Sequence, residues 1–87
     1  MKLNRLEGLT VFLAVAESGN FATAGLQLGL SRSAVSLAIR RMEDRLGVTL
    51  FTRTTRSVGL TEAGQRLFSH ASPLLADLDE GLSEASD

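Results

Sequence analysis

Residues 31–40 read Ser-Arg-Ser-Ala-Val-Ser-Leu-Ala-Ile-Arg. With Val35, Ile39, Met42 and Leu46 turned inward, the opposite side of a helix presents Ser33, Leu37 and Arg40, with Arg32 and Ser36 on its flank. The chemistry open to such a surface is recognition. Arg32 can pair bidentately with guanine, Ser33 and Ser36 can bond bases or phosphates, and Leu37 can lie against a thymine methyl. The helix N-terminus itself favours phosphate. Arg53 and Arg56, three apart among threonines, can reach phosphates or a minor groove. A competing reading makes the serines helix-start residues, the helix arginines a solvated face, and Arg53 and Arg56 charges that keep a sheet edge soluble. For any one helix residue the two readings stand level. For the group, gathered at the start of one helix, contact is favoured. For Arg53 and Arg56 contact is also favoured, since both have one sign and no acid is expected nearby. Arg41 and Arg45 are expected to pair with carboxylates on helix surfaces. His70, alone on a helix, is expected to be a surface or packing residue.

Composition bounds what else the chain can do. Its 87 residues hold one small core, and 44% hydrophobic with 22% charged residues is globular. There is no Cys, one His, and no Trp or Tyr. Thiol chemistry and Cys-based zinc are excluded, and no metal site, catalytic residue or cofactor is expected. No carboxylate pair, phosphate-cradling Gly-rich loop or nucleophile–base set stands at a usable spacing, so an enzyme is the weakest reading. The longest apolar run, residues 11–16, is far short of the ~20 needed to span a bilayer. No membrane partner is therefore expected, and the expected setting is cytoplasmic. The net charge of −1 conceals a strong division. Residues 32–56 carry six arginines against two acids, net +4, whereas residues 62–87 carry one arginine against six acids, net −5.

The elements that must position these residues follow from local signals. Leu6, Leu9, Leu13 and Ala16 recur at helical spacing, and Asn4 with Glu7 resembles a capping box, which predicts a first helix over residues 5–18 closed by Gly19. Asn20 caps a second helix over residues 21–28, ended by Gly29. Ser31 caps a third, ended by Gly47. A short helix, a three-residue turn containing Gly and a longer helix make a helix-turn-helix over about residues 21–40. Val48 and Leu50, then Val58 and Leu60, lie at strand spacing and predict a two-stranded wing over residues 48–60. Thr61 caps a fourth helix. Gly64, Phe68, Ala71, Leu75, Leu78, Leu82 and Ala85 form a heptad-like seam along it, and Pro73 is expected to kink or interrupt it.

The fold class expected is mainly α: a winged helix-turn-helix of three helices and a two-stranded β-wing over residues 1–61, then a long linker and dimerisation helix over residues 62–87. Residues 64–71 are expected to pack largely on the first helix. Leu75, Leu78 and Leu82 lie beyond the small domain, so Phe68, Ala71, Leu75, Leu78 and Leu82 are the candidate seam for a homodimer.

The run 31–36, Ile39-Arg40-Arg41-Met42-Glu43, Leu46-Gly47, Leu50-Phe51-Thr52-Arg53, Arg56 and Leu60-Thr61-Glu62-Ala63-Gly64 resembles the N-terminal domain of LysR-type transcriptional regulators, and the likeness covers nearly the whole chain. The resemblance implies sequence-specific binding of double-stranded DNA at a partly palindromic bacterial promoter site. It also implies antiparallel packing of two linker helices in a dimer, and leaves open a tetramer of the full-length protein. It puts Arg32, Ser33, Ser36 and Leu37 where base-reading and groove-lining residues sit, and Arg53 and Arg56 in the wing. Three positions depart from the family pattern: Met42 where Leu is frequent, Leu37 where a polar residue is usual, and Gly25 where Ala is frequent. Gly25 is expected to weaken the second helix by up to about 1 kcal/mol. Family members continue into an effector-sensing domain. The chain is expected to be a fragment lacking it, so a small-molecule effector would act only through that missing part. A reading of another class, a winged helix used for protein–protein assembly through its acidic seam, is opposed by the basic middle and the small groove-facing residues.

Overall fold

The computed structural model describes residues 6–53 and 58–86. Its elements follow in the order α1 (Leu9–Ser18), α2 (Phe21–Leu28), α3 (Arg32–Leu46), β1 (Phe51–Arg53), β2 (Val58–Leu60) and α4 (Glu62–Ser86). The strands pair antiparallel, with Phe51 opposite Leu60 and Arg53 opposite Val58. This is a winged helix-turn-helix followed by a long helix.

The helix ends lie where side chains or glycines satisfy orphan backbone groups. Asn20 accepts the Thr23 N–H at 2.9 Å and Ser31 accepts the Ala34 N–H at 3.0 Å. Gly19, Gly29 and Gly47 close α1, α2 and α3 in the left-handed region, at φ of 67°, 70° and 72°. Thr61 does double duty at the head of α4: its hydroxyl accepts the Gly64 N–H at 3.0 Å and donates to the Thr49 carbonyl at 2.7 Å.

The start of α1 differs from the expected one. Asn4 lies outside the described residues, and the helix begins at Leu9, after Gly8 at φ 89°. That left-handed turn breaks the helical path, and a Cβ on Gly8 would stand 3.4 Å from Met42 Cβ. Glu7, before the helix, is tied instead to the end of α3. Its carbonyl accepts from Arg45 Nη2 at 2.7 Å, and its carboxylate lies 3.9 Å from Arg45 Nη1. The first strand also starts late, at Phe51: the Leu50 N–H goes to the Glu43 carboxylate, so opposite Thr61 only the Leu50 carbonyl bonds across.

The core centres on Phe12, Val15, Val35 and Ile39, all fully buried, with Leu50 and Met42 almost so. Phe12 and Phe51 approach to 5.4 Å between ring centroids, and Phe21 meets Phe51 edge-on at 6.4 Å. Val11 and Val15, outside the expected stripe of α1, are buried as well, because this helix packs against α2, α3, α4 and β2. Leu6, inside that stripe, is exposed.

Two further expectations change. α4 runs through Pro73 as one helix of 25 residues. The proline forfeits one ladder bond, to the Ser69 carbonyl, and sits on an exposed face where its ring meets no packed neighbour element. Gly25 is a packing requirement. Its carbonyl accepts the Leu30 N–H at 2.8 Å, and a Cβ there would stand 2.5 Å from the Leu30 oxygen. Alanine would improve helix propensity but collide with backbone. Gly25→Ala should therefore destabilise the chain by about 1–3 kcal/mol, read as a lower urea midpoint at unchanged slope.

Candidate nucleic-acid interface

α3 is held by its inner stripe. Val35 and Ile39 are fully buried and Met42 is 2% exposed, which fixes what faces outward. Arg32, Ser33, Leu37 and Arg40 are exposed, and Ser36, on the flank, is half-buried. The turn before α3 is closed by the Leu30-to-Gly25 bond and the Ser31 cap, so the helix start has a fixed attitude relative to α2. Five of the expected recognition residues thus share one end of one helix. Arg32, Arg40 and Arg41 form no ion pair with any described residue. For Arg41 that departs from the expected surface pair, whereas Arg45 does pair, with Glu7. The face is graded along its length. Asp44, two turns beyond Leu37 on the same side, is an acid, so anion attraction is strongest toward the helix N-terminus.

Arg53 does not stand in the acid-free setting expected for it. The Glu43 side chain reaches across from α3 to the start of the wing, and Arg53 Nη2 lies 3.5 Å from its Oε1. The guanidinium carbon also lies 5.0 Å from the centroid of the Phe21 ring. The arginine remains 31% exposed, so part of the fork faces solvent at the strand end. Arg56 lies outside the described residues.

Glu43 is the residue that the sequence does not single out. Its Oε2 accepts the Leu50 N–H at 2.7 Å and the Phe51 N–H at 3.3 Å, while its other oxygen faces Arg53. One carboxylate therefore ties α3 to the entrance of the wing. In the sequence it is one of two adjacent acids in an otherwise arginine-rich stretch, and its partners are set by tertiary folding.

On α4 the apolar seam divides. Ala71 is 7% exposed, and Phe68 and Leu75 pack against the core, so three of the five expected dimer residues are wholly or partly engaged within the chain. The apolar surface left open is a ridge at four-residue spacing, Leu74, Leu78 and Leu82, at 67%, 59% and 64% exposure. Leu74 was not among the expected dimer residues. This ridge borders an open groove walled on the other side by Leu6 and Leu9, and the exposed His70 also lines it. Among the described residues no group of His, Asp or Glu is placed to hold a metal ion.

Over residues 6–65 the chain matches the family described as bacterial regulatory helix-turn-helix protein, lysR family. It is 45% identical over 87 residues to the HTH-type transcriptional regulator PgrR of Escherichia coli, covering all of this chain and 29% of that protein. It is similar in structure to Corynebacterium glutamicum OxyR, with a TM-score of 0.84, 37% identity, and coverage of 93% of this chain and 25% of that one. It is also similar to the BenM DNA-binding domain solved in complex with benA site 1 DNA. There the TM-score is 0.81 at 30% identity, over 99% of this chain and 93% of that one. The chain thus spans under a third of the full-length relatives.

The Glu43 bracket has a measurable stability. Glu43→Ala strands two backbone donors and should lower unfolding free energy by about 1–3 kcal/mol. Glu43→Gln keeps an acceptor and should lose less, and equal urea midpoints for the alanine variant and the parent would contradict the bracket.

Proposed function

The chain belongs to the lysR family of bacterial regulatory helix-turn-helix proteins, and from that premise we propose that it binds double-stranded DNA in a sequence-specific manner as part of a dimeric transcriptional regulator. α3 enters the major groove with its N-terminal half. Arg32 and Ser36 read base edges, Ser33 and Leu37 line the approach, and Arg40 meets phosphate. The wing lies alongside, where Arg53 and Arg56 reach the backbone or the minor groove. The observation that carries this reading is the outward face of α3: exposed arginines free of any described ion pair, small hydroxyls between them, and the aliphatic stripe fully covered beneath.

The Leu74–Leu78–Leu82 ridge supports a homodimer through α4. Two copies would set their recognition helices about 34–36 Å apart, one turn of B-DNA, and so favour a partly palindromic site. No described helix is long and apolar enough to cross a membrane, and we place the protein in the cytoplasm with the promoter it binds. In the whole protein, higher assembly and response to a small-molecule effector belong to the part beyond α4. The chain acts by binding and needs no cofactor.

Three outcomes follow for a duplex enriched from random DNA. Arg40→Ala should weaken binding to all sequences alike and shallow the slope of log affinity against log salt by about 0.9 for each phosphate it no longer neutralises. Arg32→Ala should instead compress the difference between enriched and random duplex by about 1–3 kcal/mol. Equal losses on both duplexes for both variants would refute the division of roles. Leu78→Glu should give a monomer by sedimentation at concentrations where the parent is dimeric, and a dimer in that variant would refute the α4 interface.

A further inference from the structure

Leu37 is the one apolar side chain among the outward residues of α3, where its neighbours are Ser33 one turn before, Arg40 and Arg41 about one turn after, and Asp44 beyond. It is 46% exposed and lies opposite the buried Val35 and Ile39. Among the described residues it belongs neither to the core nor to the apolar residues packed on it. The helix is already held by its inner stripe, and a polar residue would spare about half a leucine side chain from water. Toward the helix N-terminus its neighbours Ser33 and Ser36 are short, so the leucine stands proud of them on that side.

A leucine has neither donor nor acceptor. Pressed against the acceptors of guanine, or the donor–acceptor pair of adenine, it would strip their water and return no hydrogen bond. The major-groove edge of a base pair offers one apolar feature, the C5-methyl of thymine, which 5-methylcytosine shares. We propose that Leu37 reads a pyrimidine C5-methyl at one position of each half-site, so that this chain's preference there is for a methyl group. The inference rests on the DNA-binding reading above and deepens it.

Uracil differs from thymine only by that methyl. In a duplex enriched from random DNA by the 87-residue chain, each thymine is replaced singly by uracil and affinity is measured at fixed salt. One position per half-site should weaken binding about three- to fivefold, the value of one methyl removed from a packed surface. Leu37→Ala, which keeps a good helix former at an exposed site, should bind the thymine duplex more weakly by a similar factor and lose the distinction between thymine and uracil there. At the same position, a gain on passing from cytosine to 5-methylcytosine marks the methyl as sufficient. A thymine preference without that gain restricts the readout to thymine. Indifference to uracil everywhere overturns the inference alone, as does a uracil effect undiminished in Leu37→Ala. Failure to enrich any duplex overturns the DNA-binding reading and this inference together.

Discussion

The Glu43 carboxylate, 13% exposed in the last turns of α3, accepts two backbone N–H groups from the start of the wing and faces the guanidinium of Arg53. The hairpin also reaches the core through Phe51, Val58 and Leu60, but among the described hydrogen bonds it is Glu43 that joins its entrance to α3. With the carboxylate in place, the wing has one attitude relative to the recognition helix. Burying a carboxylate costs free energy unless it is fully partnered, and here three donors surround it. The arrangement also holds Arg53 between Glu43 and the Phe21 ring. A guanidinium carries five N–H donors in a planar fork, so one edge can face Glu43 while its plane lies over Phe21 and the remaining donors point outward. Its charge is thus partly engaged by Glu43 within the chain. Arg32 and Arg40 have no such competitor among the described residues.

What was legible in the sequence was what local chemistry decides. Asn20, Gly29, Ser31, Gly47 and Thr61 mark helix ends through caps that need only a few neighbouring residues, and α2 and α3 fall where those residues put them. The stripe of Val35, Ile39 and Met42 was equally readable, because its period survives any tertiary context. The residues that misled are those whose role is set from a distance. Gly25 reads as a propensity defect until Leu30 is seen folded back against it. Gly8, at the head of α1, lies against Met42 of α3 at a left-handed turn that local spacing does not announce. Glu43 and Arg53, ten residues apart, meet only in the folded chain.

The seam on α4 teaches a related point about amphipathic helices. A heptad pattern counts apolar residues without saying which partner covers them. Here Gly64, Phe68, Ala71 and Leu75 serve the chain's own core, and the adjoining Leu74, Leu78 and Leu82 row is left over. The two rows lie side by side on one broad face, which is why the sequence pattern ran them together.

Leu50 is gripped from both sides: its N–H by α3 through Glu43, and its carbonyl by the Thr61 N–H at 3.0 Å at the head of α4. Gly64 lets α4 press its first turn against that same carbonyl, where any Cβ would collide. The peptide of one buried leucine is therefore bonded both to the head of a helix about 37 Å long and to α3. Any displacement of the root of α4 therefore strains the same peptide whose N–H is held by the carboxylate of α3.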